Sequence, residues 1–255
     1  MSRVTDLKSY RPIESELAPL RVDLAAAFRL AVEMDWHEQV GNHFSLAVSA
    51  DGRQFLMNPR WVHFALIRAS DLLLLDSGDE QTMTRPDAPD ATAWCIHGRI
   101  HARLPHARCV MHVHPPYATA LATLADPTIL PIDQNTARFF RRTAVDLNYS
   151  GMADQIEEGE RLARVLGTHG SMIMGNHGVL VAAPTVAEAF DELYILERAA
   201  RTLVLAYSTG QPLQVLSDEI AEKTARCWDD YRDMAFAHFR DLRRLLDRKD
   251  SSYKD

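Results

Sequence analysis

Three features are scarce or absent in this chain of 255 residues, and each absence excludes a class of protein. The three cysteines, Cys95, Cys109 and Cys227, form an odd, unpatterned set, which argues against a disulfide framework and favours a reducing, cytoplasmic location. No window approaches the roughly 18 uncharged apolar residues of a transmembrane helix. The first residues also lack the apolar segment of a secretory signal. We therefore predict a cytoplasmic protein without a membrane span.

An excess of positive charge is also missing. The chain has 28 Lys and Arg against 35 Asp and Glu, a net charge of −7, whereas nucleic-acid modules cluster basic residues. Glycine and proline are few, at 11 and 12 residues, and 47% of the residues are hydrophobic, which is typical of a globular protein. We predict a single domain over 1–255, with a core at about 20–207 and a C-terminal helical extension over 218–246.

Hydrophobic periodicity predicts alternating strands and helices. A period of two, or a short apolar run, indicates strands, and spacings of three and four indicate helices. The predicted fold class is α/β, in three layers. The predicted strands are 44–48, 54–57, 72–75, 109–114, 171–174 and 179–182, and the predicted helices are about 16–36, 91–104, 117–124, 154–166, 185–207 and 218–246.

Histidine is abundant, with eleven residues, and two of them have a spacing typical of a metal site. His112 and His114 are two positions apart in a predicted strand, so their side chains point to the same face. His177 is a natural third ligand, because the glycines that flank it allow the backbone to approach another element closely. Three neutral imidazoles leave coordination positions open, as in catalytic sites. If His112 and His114 are considered without His177, the alternative to metal binding is that the two rings form hydrogen bonds with the backbone.

These residues carry a resemblance to a known family. The segments His-Val-His-Pro at 112–115 and Asn-His-Gly at 176–178 resemble the class II aldolase/adducin family, with further similarity at 41–45, 57–60, 130–134 and 186–197. The resemblance implies a three-layer α/β/α sandwich and, usually, a homotetramer with active sites at subunit borders. It also implies a divalent metal held by His112, His114 and His177. Zn²⁺ or Mn²⁺ is expected, and Fe²⁺ and Co²⁺ are further candidates.

The chain departs from the aldolases of this family at their proton-transfer residues. Those enzymes carry a glutamate just before an aromatic residue on the helix ahead of the His-x-His strand, where this chain has Ala93 and Trp94. Their proton-donating tyrosine is replaced by the Asp-Gln-Asn segment at 133–135. Loss of a general base costs on the order of 10²–10⁴-fold in rate, whereas decarboxylation needs no such base.

The predicted function is therefore that of a metal-dependent carbon–carbon lyase, favoured as a decarboxylase of a hydroxy- or oxo-carboxylic acid. Some members of the resembled family look like metal-dependent decarboxylases of this kind. We expect Arg60 to hold the carboxylate, Asn42 and Gln134 to contact substrate, and His97 to supply a proton. For His97, a packing role is the alternative. The expected partners are a small carboxylate or carbonyl substrate and further copies of the chain, and neither nucleic acid nor membrane.

Two other functions remain open from the sequence. A class II aldolase that cleaves a β-hydroxy carbonyl substrate would use the same metal ligands. A non-catalytic adducin-like module would use the fold for binding, and would have no need for open coordination positions.

Overall fold

The computed structural model describes residues 14–79, 81–149, 151–152 and 154–255. Strands and helices are interspersed along the chain, as an α/β fold requires. The elements are α1 (Glu14–Glu33), β1 (His43–Ala47), β2 (Gln54–Met57), β3 (Leu73–Asp76), α2 (Ala91–Arg103), β4 (Cys109–Val113), α3 (Pro116–Ala122), α4 (Gln134–Arg138), β5 (Thr143–Asp146), α5 (Ile156–Leu166), β6 (Ser171–Met174), β7 (Gly178–Ala183), α6 (Val186–Ser208), α7 (Asp218–Asp229) and α8 (Arg232–Lys249).

The seven strands of the described residues form one sheet in the order β3-β2-β1-β4-β7-β6-β5. Neighbouring strands are antiparallel, except that β5 and β6 are parallel. In the register, His43 of β1 pairs with His112 of β4, and Val113 pairs with Val179 of β7. The start of β1, the end of β4 and the start of β7 therefore meet at one edge of the sheet.

The side chains of the strands alternate between two hydrophobic layers, because successive residues of a strand point to opposite faces. Phe44, Met111 and Val181 face the layer that contains α1, α3 and α6. Val110 and Leu180 face the opposite layer, in which α2 packs against α5. The predicted α/β/α sandwich is thus confirmed.

Sequence periodicity missed two short elements and joined two others. The helix α4 is stabilised by its N-cap Asp133, whose carboxylate accepts from the amide of Thr136 at 2.7 Å, and its five residues are too few to show periodicity. The strand β5 is also short, at four residues. The single helix predicted over 218–246 is wrong, because α7 ends at Asp229 and α8 begins at Arg232.

None of the helices in the part of the chain that the structure describes is both long and apolar enough to cross a membrane.

Candidate metal centre

Three histidines meet at the edge of the sheet where β4 ends. His112 is the fourth residue of β4, His114 follows the last residue of β4, and His177 lies in the turn between β6 and β7. One ring nitrogen from each lies within 4.8 Å of the others. The structure therefore brings together the three residues that the sequence indicated as ligands.

Glycine at position 178 is what allows the turn to approach β4 this closely. A Cβ atom on Gly178 would lie 2.4 Å from Cδ2 of His114 and 2.7 Å from the carbonyl oxygen of Val113. The turn itself is anchored by the amide of Asn176, which donates to the carbonyl of Ala122 at 2.9 Å. The close approach expected from the glycines that flank His177 is thus made by Gly178.

The hydrogen bonds of two ligands fix which ring nitrogen faces the centre. His112 donates from Nδ1 to the carbonyl of Val179 at 3.0 Å, and His114 donates from Nδ1 to the carboxylate of Glu38 at 2.5 Å. In the neutral rings, both Nε2 atoms therefore carry lone pairs, and these atoms lie 3.2 Å apart. Two facing lone pairs repel each other unless a cation lies between them. The donor set thus fits a divalent metal ion, whose imidazole ligands typically bind at about 2.0–2.1 Å.

Burial keeps two of the three rings neutral. It lowers the pKa of His112 well below its ordinary value, and neighbouring rings lower it further. Burial also lowers the pKa of His177 to about 4, with a smaller contribution from His114. A metal ion competes with protons for the same nitrogen, so neutral rings are the form that binds metal at neutral pH.

The loop before β1 supports the centre with two residues. The amide of Glu38 donates to Oδ1 of Asn42 at 2.6 Å, which holds the carboxylate of Glu38 beside His114. Nδ2 of Asn42 is buried and has no hydrogen-bond partner among the described residues. The side-chain amide of Asn42, which the sequence predicted as a substrate contact, thus has an unpaired donor in the part of the chain that the structure describes. Sequence reasoning missed Glu38, because nothing in its spacing links it to His114.

His97 does not face the three ligands directly. Its ring is fully buried on α2, where Nε2 lies 2.7 Å from Nδ1 of His43 and Nδ1 lies 2.5 Å from Oγ of Ser45. His43 separates His97 from the ligands, since the rings of His43 and His112 lie 4.9 Å apart. His43 was also missed, although the spacing of His43 and Ser45 in β1 predicts a shared face, as it does for His112 and His114.

The other two predicted substrate contacts, Arg60 and Gln134, make contacts elsewhere on the surface. Arg60 follows β2 at the same edge of the sheet, is exposed, and stacks its guanidinium over the ring of Trp61 at 4.7 Å. Gln134 is exposed at the start of α4, where its carbonyl accepts from the indole of Trp228 on α7 at 3.1 Å. Tyr149, which the sequence did not single out, has its ring 6.1 Å from that of His177.

Ala93 does not border an open polar space. Its methyl group is buried in a small apolar cluster, with Trp94 at the edge. The buried members of that cluster are Ala47, Phe55, Met57, Leu75 and Ala93. Where the aldolases of the resembled family carry a glutamate, this chain therefore has well-packed apolar side chains.

Comparisons with known proteins agree with this geometry. Residues 22–204 match the family described as "Class II Aldolase and Adducin N-terminal domain". A Caulobacter vibrioides protein named "Putative aldolase class 2 protein" is 31% identical over 206 residues, covering 81% of this chain and 79% of the relative. A Streptomyces niveus protein named "Decarboxylase NovR" is 27% identical over 169 residues, which are 66% of this chain and 62% of the relative.

The crystal structure of an aldolase II superfamily protein from Pseudomonas syringae superposes with a TM-score of 0.85 and 30% sequence identity, covering 95% of this chain and 98% of the other. The family match spans most of the chain and the fold matches throughout. The resemblance noted in the sequence is confirmed, and the chain belongs to the class II aldolase and adducin family.

Proposed function

We propose that this protein is a metal-dependent carbon–carbon lyase, and that it decarboxylates a hydroxy- or oxo-carboxylic acid. The observation that carries the proposal is the pair of Nε2 lone pairs on His112 and His114, 3.2 Å apart, with His177 beside them. Side chains that bind only a partner protein have no need for such an arrangement. A divalent ion here, Zn²⁺ or Mn²⁺ in the first instance, would polarise the oxygens of a chelating substrate and accept the charge that develops when a carbon–carbon bond breaks.

The surroundings of Ala93 favour decarboxylation over aldol cleavage. Aldol cleavage begins with removal of a proton from a substrate hydroxyl, and the side chains of the apolar cluster around Ala93 include no carboxylate for this step. The neighbouring carboxylate of Asp90 is engaged as the acceptor of hydrogen bonds from the hydroxyl of Thr92 at 2.6 Å and the amide of Ala93 at 3.3 Å. Decarboxylation releases CO₂ without a base and then requires a proton donor. The relative that is named a decarboxylase supports the same preference.

The chain's own residues would bind the substrate and deliver the proton. The unpaired Nδ2 of Asn42 would donate to a substrate oxygen, and Arg60, if its side chain swings away from Trp61, would bind a carboxylate. Gln134, which is exposed, would contact the substrate through its side-chain amide. The phenol of Tyr149, near His177, is a better placed donor than His97, whose ring lies behind His43.

The test begins with metal content and turnover. The protein loaded with Zn²⁺ or Mn²⁺ is incubated with a panel of hydroxy- and oxo-carboxylates, and released CO₂ and carbonyl products are measured separately. We expect CO₂ release that requires one metal ion per chain. A His114→Ala variant should lose both metal and turnover. His106→Ala is the matched control, because His106 lies outside the site, with Nε2 3.4 Å from the carbonyl of His169.

Other outcomes would contradict the proposal. Carbonyl products without CO₂ would identify an aldolase, and a chain that binds no metal would favour an adducin-like binding module. Full metal content in the His114→Ala variant would show that His114 is not a metal ligand, and the assigned set of three ligands would then be wrong. The homotetramer implied by the family stays a prediction, which light scattering of the metal-loaded protein tests directly.

A further inference from the structure

We infer that His43 presents an unprotonated Nε2 to the ligand bound at the histidine centre, and so selects ligands that carry a hydroxyl group beside their metal-chelating oxygens. The inference deepens the proposed function. It rests on that proposal for one point only, that the ligand is a small molecule that chelates a metal ion. The state of the ring follows from a buried chain of hydrogen bonds on the α2 side of the sheet. The chain links His101, Ser45, His97 and His43.

The direction of the chain is fixed at its far end. Nδ1 of His101 lies 2.7 Å from the carbonyl oxygen of Ala107, which has no proton to give, so the ring nitrogen must donate. In a neutral imidazole the other nitrogen then accepts. Nε2 of His101 therefore accepts from the hydroxyl of Ser45, which lies 2.6 Å away.

The next two links follow from the first. The hydroxyl of Ser45 has given its proton to His101, so its oxygen accepts from Nδ1 of His97 at 2.5 Å. Nε2 of His97 is then the accepting atom of a neutral ring, and it accepts from Nδ1 of His43 at 2.7 Å. Nδ1 of His43 thus carries the proton, and Nε2 carries a lone pair.

That lone pair has only a weak partner among the described residues. The hydroxyl oxygen of Thr92 lies 3.5 Å from Nε2 of His43, at the outer limit of a hydrogen bond. Its proton is directed to Oδ1 of Asp90, a carboxylate oxygen only 2.6 Å away. His43 is 2% exposed, and its ring lies beside that of His112. A buried acceptor next to the metal ligands is thus left to be satisfied by whatever binds there.

This arrangement discriminates between ligands by their hydrogen-bond donors. A ligand hydroxyl would satisfy Nε2 of His43, whereas a methyl or ether group in the same place would exclude water and leave the acceptor unpaired. Sites built to pair with a hydroxyl reject analogues that lack it, because the buried polar group then has no partner. The oriented chain behind His43 keeps the ring from flipping to the opposite tautomer.

The tautomer is tested on metal-free protein labelled with ¹⁵N-histidine. Ring nitrogen chemical shifts and their couplings to ring protons distinguish protonated from unprotonated nitrogens. We expect Nδ1 of His43 to be protonated and Nε2 to be unprotonated. A Ser45→Ala variant, which cuts the chain, should show a mixture of tautomers. The opposite tautomer in the wild-type chain would overturn the inference, whether or not the protein binds metal.

Selectivity is tested on zinc-loaded protein with two probes, lactate and glycerate, which share an α-hydroxy acid and differ by one terminal hydroxyl. Calorimetry should show about a fivefold to tenfold preference of the wild type for glycerate, the size of one hydrogen bond. His43→Asn should abolish that preference, because the Nδ2 of asparagine still donates to His97 but the shorter side chain has no acceptor at the position of Nε2. Equal binding of both probes by the wild type, or binding of neither, would contradict the inference. Loss of zinc from the His43→Asn variant would also overturn it, because His43 would then be a fourth ligand.

Discussion

Nδ1 of His114 donates a hydrogen bond to Oε2 of Glu38 across 2.5 Å, and this bond joins the loop before β1 to the metal centre. The loop is held in turn by the bond from the amide of Glu38 to Oδ1 of Asn42. A carboxylate behind a metal-binding imidazole fixes the orientation of the ring and raises its basicity. We therefore expect Glu38 to act on a bound metal ion through His114.

Replacement of Glu38 tests this relationship. We expect Glu38→Gln to weaken zinc affinity by roughly 10- to 100-fold, because the amide keeps the shape of the side chain but loses its charge. Competition with a chelator of known affinity measures the change. Glu160→Gln is the matched control, since Glu160 pairs with Arg103, whose side chain is largely exposed, on the outer helices. Equal affinities for the two variants would show that the carboxylate does not support the ligand.

Ala93 provides a second test, of the apolar cluster that replaces the aldolase glutamate. Ala93→Glu would place a carboxylate among buried apolar side chains such as Phe55 and Met57. An unpaired buried charge typically costs more than about 3 kcal/mol, so we expect a loss of that size in the free energy of unfolding, measured with urea. We also expect no gain of aldol cleavage.

The control for this variant is Ala91→Glu. Ala91 is the first residue of α2 and is partly exposed, and a negative charge is favourable at a helix N-terminus. Its free energy of unfolding should stay within about 0.5 kcal/mol of the wild type. If Ala93→Glu were as stable as Ala91→Glu, the cluster would have to open to water, and our reason for preferring decarboxylation would fail.

Local spacing predicted which three histidines come together, but it did not predict what surrounds them. The period of a strand places His112 and His114 on one face, and the glycines beside His177 indicate a close approach, so both signals lie within a few residues. The positions of Glu38 and His97 depend instead on how the loop before β1 and the helix α2 pack over the sheet. That packing joins residues far apart in the chain: 76 positions separate Glu38 from His114, and 54 separate His43 from His97.

The pH dependence of stability provides a third test, through His101. Burial lowers the pKa of His101 to about 4, from an ordinary value of 6.5. The unfolded chain therefore binds a proton at a higher pH than the folded chain does. The stability that the neutral ring contributes is fully present above pH 6.5 and is lost as the pH falls from 6.5 through 4.

His101→Gln removes this contribution, and the glutamine side chain retains a donor and an acceptor. Between pH 6 and 4.5, we expect the free energy of unfolding of the metal-free variant to fall less steeply than that of the metal-free wild type. The two slopes should differ by about 1.4 kcal/mol per pH unit. Urea titrations at a series of pH values measure both slopes. Above pH 7.5 the two proteins should have parallel profiles, because the ring is neutral in both states. Equal slopes at acid pH would mean that His101 becomes protonated in the folded protein.

The close approach at Gly178 gives the last prediction. An added Cβ would lie 2.4 Å from Cδ2 of His114, closer than real contacts allow, so in Gly178→Ala either the ring or the start of β7 must shift. A misplacement of about 1 Å costs on the order of 10²-fold in activity when it affects reacting groups. We therefore expect Gly178→Ala to weaken zinc binding at least tenfold and to destabilise the fold by roughly 1–3 kcal/mol.

The control is Gly170→Ala, where the nearest atom to an added Cβ is Oε1 of Glu192 at 3.5 Å, an ordinary contact. If Gly178→Ala lost stability but bound zinc as tightly as Gly170→Ala, the start of β7 would have shifted and not the ring, and the close approach at Gly178 would not be what positions His114 for the metal.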